Sequence, residues 1–358
     1  MESRTNKGLG LALGVWLVAG LPPVAAQTPL RLSLADAVRL ASGEAPVVAV
    51  AALRTDEADA RVGQARAALL PSLSLGGFWL NRSFNSRSIG ISFPGVPELI
   101  GPFNNYDARV SASQTLFDWS SVARVRAAGA QADGSRAEQG VTVEGSATTA
   151  ALAYLRAVRA QAAVAARQAD SSVAADLVTL AQAQKAAGVS AAIDVTRARA
   201  QLVSAEGLLI VARNQLDRGR IDVTRALGLD PATPLALTDT LAATLGVAAV
   251  PATRDSGVAL ALANRPDLRS ELARGAAARQ TRSAIRAERL PRLELAGDYG
   301  SNGPTAPHAI ATRDLTLQVS LPILDGFRRE ARASEQDAVI RESQVREADL
   351  RHQIAADV

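Results

Sequence analysis

Two histidines and no cysteine in 358 residues leave few groups able to do covalent or metal chemistry. His308 falls in the loop-forming stretch SNGPTAPHAIATR, and His352 in a charged helical pattern. Neither stands at metal-ligand spacing or beside a nucleophile motif, so no catalytic residue, metal or cofactor is expected and an enzyme is disfavoured. The absence of cysteine removes thiol catalysis and disulfides as well, leaving stability to packing. What remains is the chemistry of placed carboxylates. Asp194 follows Gly188-Val189-Ser190 and sits in the first turn of a helical pattern, where a negative charge favours the helix dipole. Arg197 and Arg199 follow it, either as partners or as solvated charges. Asp118 and Asp325 each stand between an extended pattern and a helical one, placed to cap free backbone N–H groups.

Long helices must position these groups. From Val195 the small or apolar residues Ala198, Leu202, Ala205, Leu209, Ala212 and Leu216 recur at alternating steps of three and four, the seam of a helix that supercoils against neighbours. Upstream, Ala150 to Gln184 holds neither Gly nor Pro. Gly188 can take the left-handed conformation that ends a helix, and Ser190 can cap the next. The expectation is a long helix near 119–186, on the order of 100 Å at 1.5 Å per residue, a tip at 187–190 and a return helix near 191–228.

The chain also matches itself. Pro46 and Pro266, Pro71 and Pro291, and Leu73-x-Leu75 and Leu293-x-Leu295 recur at one constant interval. SQTLFDW from Ser113 matches SLPILDG from Ser320 at a shorter interval, as though a loop in the second copy had lost residues. In each copy a helix begins after the first proline and runs to Leu70 or Leu290, where Pro71 or Pro291 forces an extended exit into a strand. Strands are expected near 71–83 and 106–117, and again near 291–300 and 313–323. Leu315, Leu317, Val319 and Leu321 alternate with Thr316, Gln318 and Ser320, giving one apolar and one polar face.

The expected divisions are a signal peptide at 1–26, a first repeat at 27–230, a connector at 231–255 and an incomplete second repeat at 256–358. Arg4 and Lys7 precede an apolar run from Leu9 to Leu21 that closes on Val24-Ala25-Ala26, the layout of a secretory signal rather than a membrane anchor. The connector carries three prolines and room for one short helix. Hydrophobic residues make up 48% of the chain but aromatics only 3%, the palette of closely packed helices. Formal charge is +4 with no block of basic residues, which argues against nucleic acid as a partner.

Strands of this length, apolar on one face, in an exported chain fit a transmembrane β-barrel, and four strands cannot close one alone. Unpaired edges in lipid leave backbone groups unsatisfied, so other copies must complete the sheet. The bland reading is a duplicated soluble helical protein with two hairpins, and the strands are its weakness.

The duplicated Leu70-Pro71 and Leu290-Pro291 strand starts, the SQTLFD and SLPILD strand ends, RPDL at Arg265 to Leu268, the tip Gly188 to Val195 and the closing QLDRGRIDVTRALGLDP together resemble the TolC family of outer-membrane efflux proteins. The resemblance implies an α+β membrane protein, a homotrimer with a twelve-stranded barrel in outer-membrane lipid and a long periplasmic α-helical barrel of a Gram-negative cell. It implies a passive conduit for small molecules or secreted proteins, fed by an inner-membrane transporter through a periplasmic adaptor. On that resemblance Gly188, Val189 and Ser190 become adaptor contacts, and Asp194 with Arg197 gate candidates. The second repeat lacks on the order of 80 residues relative to the first, so a C-terminally truncated chain, poorly stable as a trimer, is expected. The alternative is a periplasmic coiled-coil adaptor or structural protein, although an adaptor is expected to flank one hairpin with lipoyl-like segments.

Overall fold

A computed structural model describes residues 29–90, 97–241, 251 and 253–358; the expected signal peptide lies outside them. The described elements are β1 (Leu30–Leu32), α1 (Leu34–Gly43), α2 (Pro46–Ala67), β2 (Ser72–Asn85), β3 (Leu99–Asp118), α3 (Trp119–Ala186) and α4 (Ala192–Leu227). They continue with β4 (Leu235–Leu237), α5 (Arg254–Asn264), α6 (Pro266–Ala287), β5 (Arg292–Gly303), β6 (Ile310–Ser320) and α7 (Arg328–Asp357).

The axis of the molecule is α3, 68 residues without a proline. Helix α4 turns back along it, burying Val195, Leu209, Ala212 and Leu216, while α3 buries Ser171, Ala174 and Val178. These are members of the three-and-four seam, so its period selects the face that α4 turns inward. Helices α2 and α6 also lie on α3. Both begin with proline at the first helical turn, where a missing N–H costs nothing.

Three local expectations are corrected. Helices α2 and α6 stop at Ala67 and Ala287, short of Leu70 and Leu290. Residues before a proline avoid the α region, and the chain tightens first: the Leu70 N–H donates to the Ala67 carbonyl at 3.1 Å, and that of Leu290 to Ala287 at 3.0 Å. Strand β3 begins at Leu99 rather than near 106, because the stretch ahead of Tyr106 already pairs with β2, Leu99 opposite Asn85 and Phe103 opposite Arg82 with a bulge between. Helix α7 does not start on Asp325. Gly326 and Phe327 are both left-handed and separate the two.

The best-packed region is a waist on α3. Tyr154, Ala150, Ala157, Val223, Leu227, Ala37 and Leu32 form one buried cluster, with Leu235 and Leu237 of β4 beside them. Strands β1 and β4 pair in parallel there, Leu30 opposite Leu235 and Leu32 opposite Leu237. The Tyr154 hydroxyl donates to the Leu32 carbonyl at 2.9 Å. Burial, the largest influence on this phenol, holds it above its ordinary pKa and so keeps it a donor. The buried Ser146 hydroxyl donates to the Ala41 carbonyl at 2.8 Å, tying α1 to α3.

The remaining strands form one antiparallel sheet in the order β2-β3-β5-β6. Among the described residues no helix is long and apolar enough to cross a membrane.

Candidate functional site

Two regions carry the candidate residues, the four-stranded sheet and the turn between α3 and α4. In an antiparallel sheet directly opposed residues share a face. The register puts Leu75, Val110 and Tyr299 in one row and Trp79 with Tyr106 in another, all on one side. On β5 and β6 the same side carries Leu295 opposite Leu317 and Leu293 opposite Val319. Among the described residues nothing covers this side: Leu73 is 76% exposed, Leu75 81% and Leu315 79%. Apart from polar residues such as Arg313 opposite Tyr299 and Asn81 opposite Asn104, the face is apolar, which does not suit water and does suit lipid.

The opposite face is mostly polar, Phe78, Leu80 and Phe103 excepted, with Ser72, Ser74, Ser111, Asp298, Asp314 and Thr316 lining one open groove. Its charge is organised by Arg109. The guanidinium binds the Asp107 carboxylate through two nitrogens and reaches Asp298 across the sheet at 2.9 Å. Glycine makes that reach feasible, because a Cβ at Gly300, directly opposite, would meet the Arg109 Cβ at 2.3 Å. Asp298 in turn stands directly opposite Asp314.

At the tip, Gly188 is left-handed at φ +76. Its N–H donates to the Lys185 carbonyl at 3.0 Å and the Val189 N–H to that of Gln184 at 3.0 Å, closing α3. Val189 projects 75% exposed. Ser190 is not the cap expected for α4, whose N-cap is Ala191. Asp194 supplies the missing acceptor by reaching back to the Ala191 N–H at 3.3 Å, while the Ser190 hydroxyl is shielded without a hydrogen-bond partner. Arg197 is 3.5 Å from Asp194 with both side chains largely in solvent, so the pair contributes little within one chain. Arg199 is exposed on the same helix. The tip residues are therefore brought together, and the sheet residues form a separate constellation.

Asp118 behaves as its position predicts. It accepts from the Ser120 N–H at 2.9 Å and from the Ser121 hydroxyl at 2.5 Å, capping α3. Asp325 likewise accepts from a free N–H of the helix that follows, that of Arg329 in the first turn of α7 at 3.2 Å, and from the Arg329 Nε at 3.0 Å. Pro71 and Pro291 each stand just ahead of a strand start. Arg329 and Arg109 escape sequence reasoning, since only the fold brings them to their partners. Arg329, 6% exposed, donates to the carbonyls of Pro322 and Glu288, joining strand exit to helix end.

An antiparallel sheet with one bare apolar face, carried on helices far longer than any globular core needs, is the architecture of TolC-like outer-membrane channels. The family model for outer membrane efflux proteins matches residues 37–229 and 257–358, and the chain belongs to that family. Membership places the protein in the outer membrane, in a transport family rather than an enzyme family. Protein CyaE of Bordetella pertussis is 29% identical over 282 residues, 76% of this chain and 56% of CyaE. The chain thus spans little more than half the length of that relative. The outer membrane protein VceC of Vibrio cholerae has the same fold at a TM-score of 0.72 and 20% identity, covering 89% of this chain and 75% of VceC. The CmeC outer membrane channel of Campylobacter jejuni gives 0.73 at 16% identity, covering 88% and 67%.

Proposed function

We propose that the protein is the outer-membrane conduit of a tripartite export system, assembled as a homotrimer whose chains each give four strands to a twelve-stranded barrel. The observation that carries this is the sheet: one face mostly apolar and bare, the other mostly polar, with the outer edges of β2 and β6 unpaired among the described residues. Backbone groups at such edges cannot be left open in lipid. The helical surface supports the same reading, since Leu177, Leu180, Val203 and Ile210 remain exposed on α3 and α4 as faces for neighbouring copies.

In this arrangement substrate passes without chemistry from an inner-membrane transporter through a periplasmic adaptor. The exposed turn Gly188-Val189-Ser190 is the adaptor contact. Asp194 and Arg197, whose exposed 3.5 Å contact contributes little within one chain, act between neighbouring tips to narrow the pore. Planar-bilayer conductance tests both levels. Discrete ion-conducting steps are expected from the detergent-purified chain, and a protein that inserts without conducting would sink the conduit reading. Asp194→Ala is expected to raise the conductance of each step; an unchanged value would leave Asp194 only its helix-capping role.

A further inference from the structure

We infer that neighbouring copies join β6 to β2 in one fixed register, with Asp314 of one chain directly opposite Arg82 of the next and forming an ion pair inside the barrel. This rests on the oligomeric reading above and adds to it a register and a residue pair.

Three observations carry it. First, the two hairpins share one pairing rule. Ser72 opposes Ser113 where Arg292 opposes Ser320, and Leu75 opposes Val110 where Leu295 opposes Leu317. Each position of β2 therefore has a counterpart on β5, and each of β3 one on β6. The junction between hairpins is also recorded, since β3 pairs with β5, Asp107 opposite Asn302 and Val110 opposite Tyr299. A closed ring repeats that junction where β6 of one copy meets β2 of the next. Replacing each residue by its counterpart turns Asp107–Asn302 into Asp314–Arg82, and Val110–Tyr299 into Leu317–Trp79.

Second, the faces agree. Leu317 and Trp79 both lie on the apolar side, and Asp314 and Arg82 both on the polar side, as the cross-strand register within the chain requires. A slip of one residue would put every apolar side chain of one strand against the polar face of the other.

Third, both charges are unmatched among the described residues. Asp314 directly opposes Asp298, and like charges so placed repel. Asp298 is neutralised by Arg109 at 2.9 Å, whereas Asp314 is exposed and has no ion pair among the described residues. Arg82 is likewise exposed, its guanidinium resting 5.9 Å over Phe84 and 5.8 Å over Phe103 with no carboxylate partner among the described residues. The register proposed brings these two opposite charges together and continues the line Asp107–Arg109–Asp298 around the lumen.

The chain has no native cysteine, so paired cysteines report cleanly. Arg82 and Asp314 sit on the two outer strands of the sheet, so any bond between them joins different chains. Arg82→Cys with Asp314→Cys in the detergent-purified protein is expected to give covalent dimers and trimers on oxidation. Leu80→Cys or Phe84→Cys with Asp314→Cys, which keep the faces but slip the register by two residues, are expected to give several-fold less. Efficient cross-linking in a slipped pair and not in the first would overturn the register while leaving the oligomer standing. A wild-type mass of one chain by light scattering, with no cross-linking in any pair, would overturn both. For the ion pair, Arg82→Asp or Asp314→Arg alone is expected to deplete the oligomer, and the double exchange to restore it. An exchange that restores nothing would remove the ion pair.

Discussion

The waist and the sheet both draw on leucine, alanine and valine, yet they use them in opposite ways. At the waist, Tyr154, Val223 and Leu32 are sealed from solvent by helices and strands of the same chain. In the sheet, Leu75, Leu315 and Val319 are 81%, 79% and 69% exposed although their register is complete. At the waist the apolar side chains are covered by the chain itself; in the sheet they are not, and among the described residues the outer edges of β2 and β6 are open as well. A sheet that leaves its apolar face bare suits a solvent other than water.

The sharpest way to break this contrast is to empty the waist. Tyr154→Ala removes a fully buried ring, and losses of about 3–5 kcal/mol are usual for buried aromatics. Urea unfolding followed by circular dichroism should show that loss with the sheet sequence untouched. Leu315→Arg probes the other side. It should cost about 2–4 kcal/mol if the residue lies near the bilayer centre, and far less in a mild detergent that lets the charge reach water. Equal cost in both media would show that this face does not meet lipid.

Smaller changes sharpen the contrast. Gly188→Ala imposes a side chain on a left-handed residue at a cost of about 1–2 kcal/mol, with no clash, since nothing lies within 4 Å of the added carbon. The expected outcome is faster hydrogen exchange at the α3–α4 turn with waist and sheet unchanged. Tyr154→Phe should cost only about 1 kcal/mol, because the Leu32 carbonyl keeps the Thr238 N–H at 3.0 Å and its hydroxyl at 3.1 Å. The smallest effect belongs to Asp36, at the edge of the waist. The Ser33 hydroxyl first, then Arg39 and the Ser33 N–H, hold its carboxyl below the ordinary value. A depressed folded pKa means the contribution is present above the unfolded pKa and is lost as pH falls through the folded one. Asp36→Asn should therefore flatten the acid limb of a thermal stability profile below the ordinary carboxylate pKa and change little only once the pH has fallen through the folded value.

The sequence made much of this legible because local signals were strong. The long helix and its return were visible in the seam from Val195 and in the absence of proline, and Gly188 marked the turn through the one conformation that glycine adopts freely. Asp118 was legible as a cap because its hydroxyl partners are its immediate neighbours. The parallel pair β1–β4 was not, since three residues on each strand are too short for a period and their partners lie some two hundred positions apart. Ser190 was misjudged for a related reason. Asp194 satisfies the free N–H from inside the helix, and which of two competent acceptors wins is settled by backbone geometry.

By itself the sequence determined what repeats along the chain: alternation, seam, duplication and the residues that start and stop each element. These follow from stereochemistry over a few residues. Only the tertiary structure decided which strands are neighbours, that Arg109 lies between Asp107 and Asp298, and that the apolar sheet face is left bare. The reason is physical. Register and cover depend on contacts between segments remote in sequence, and alternation records that a strand has two faces without recording what lies against either.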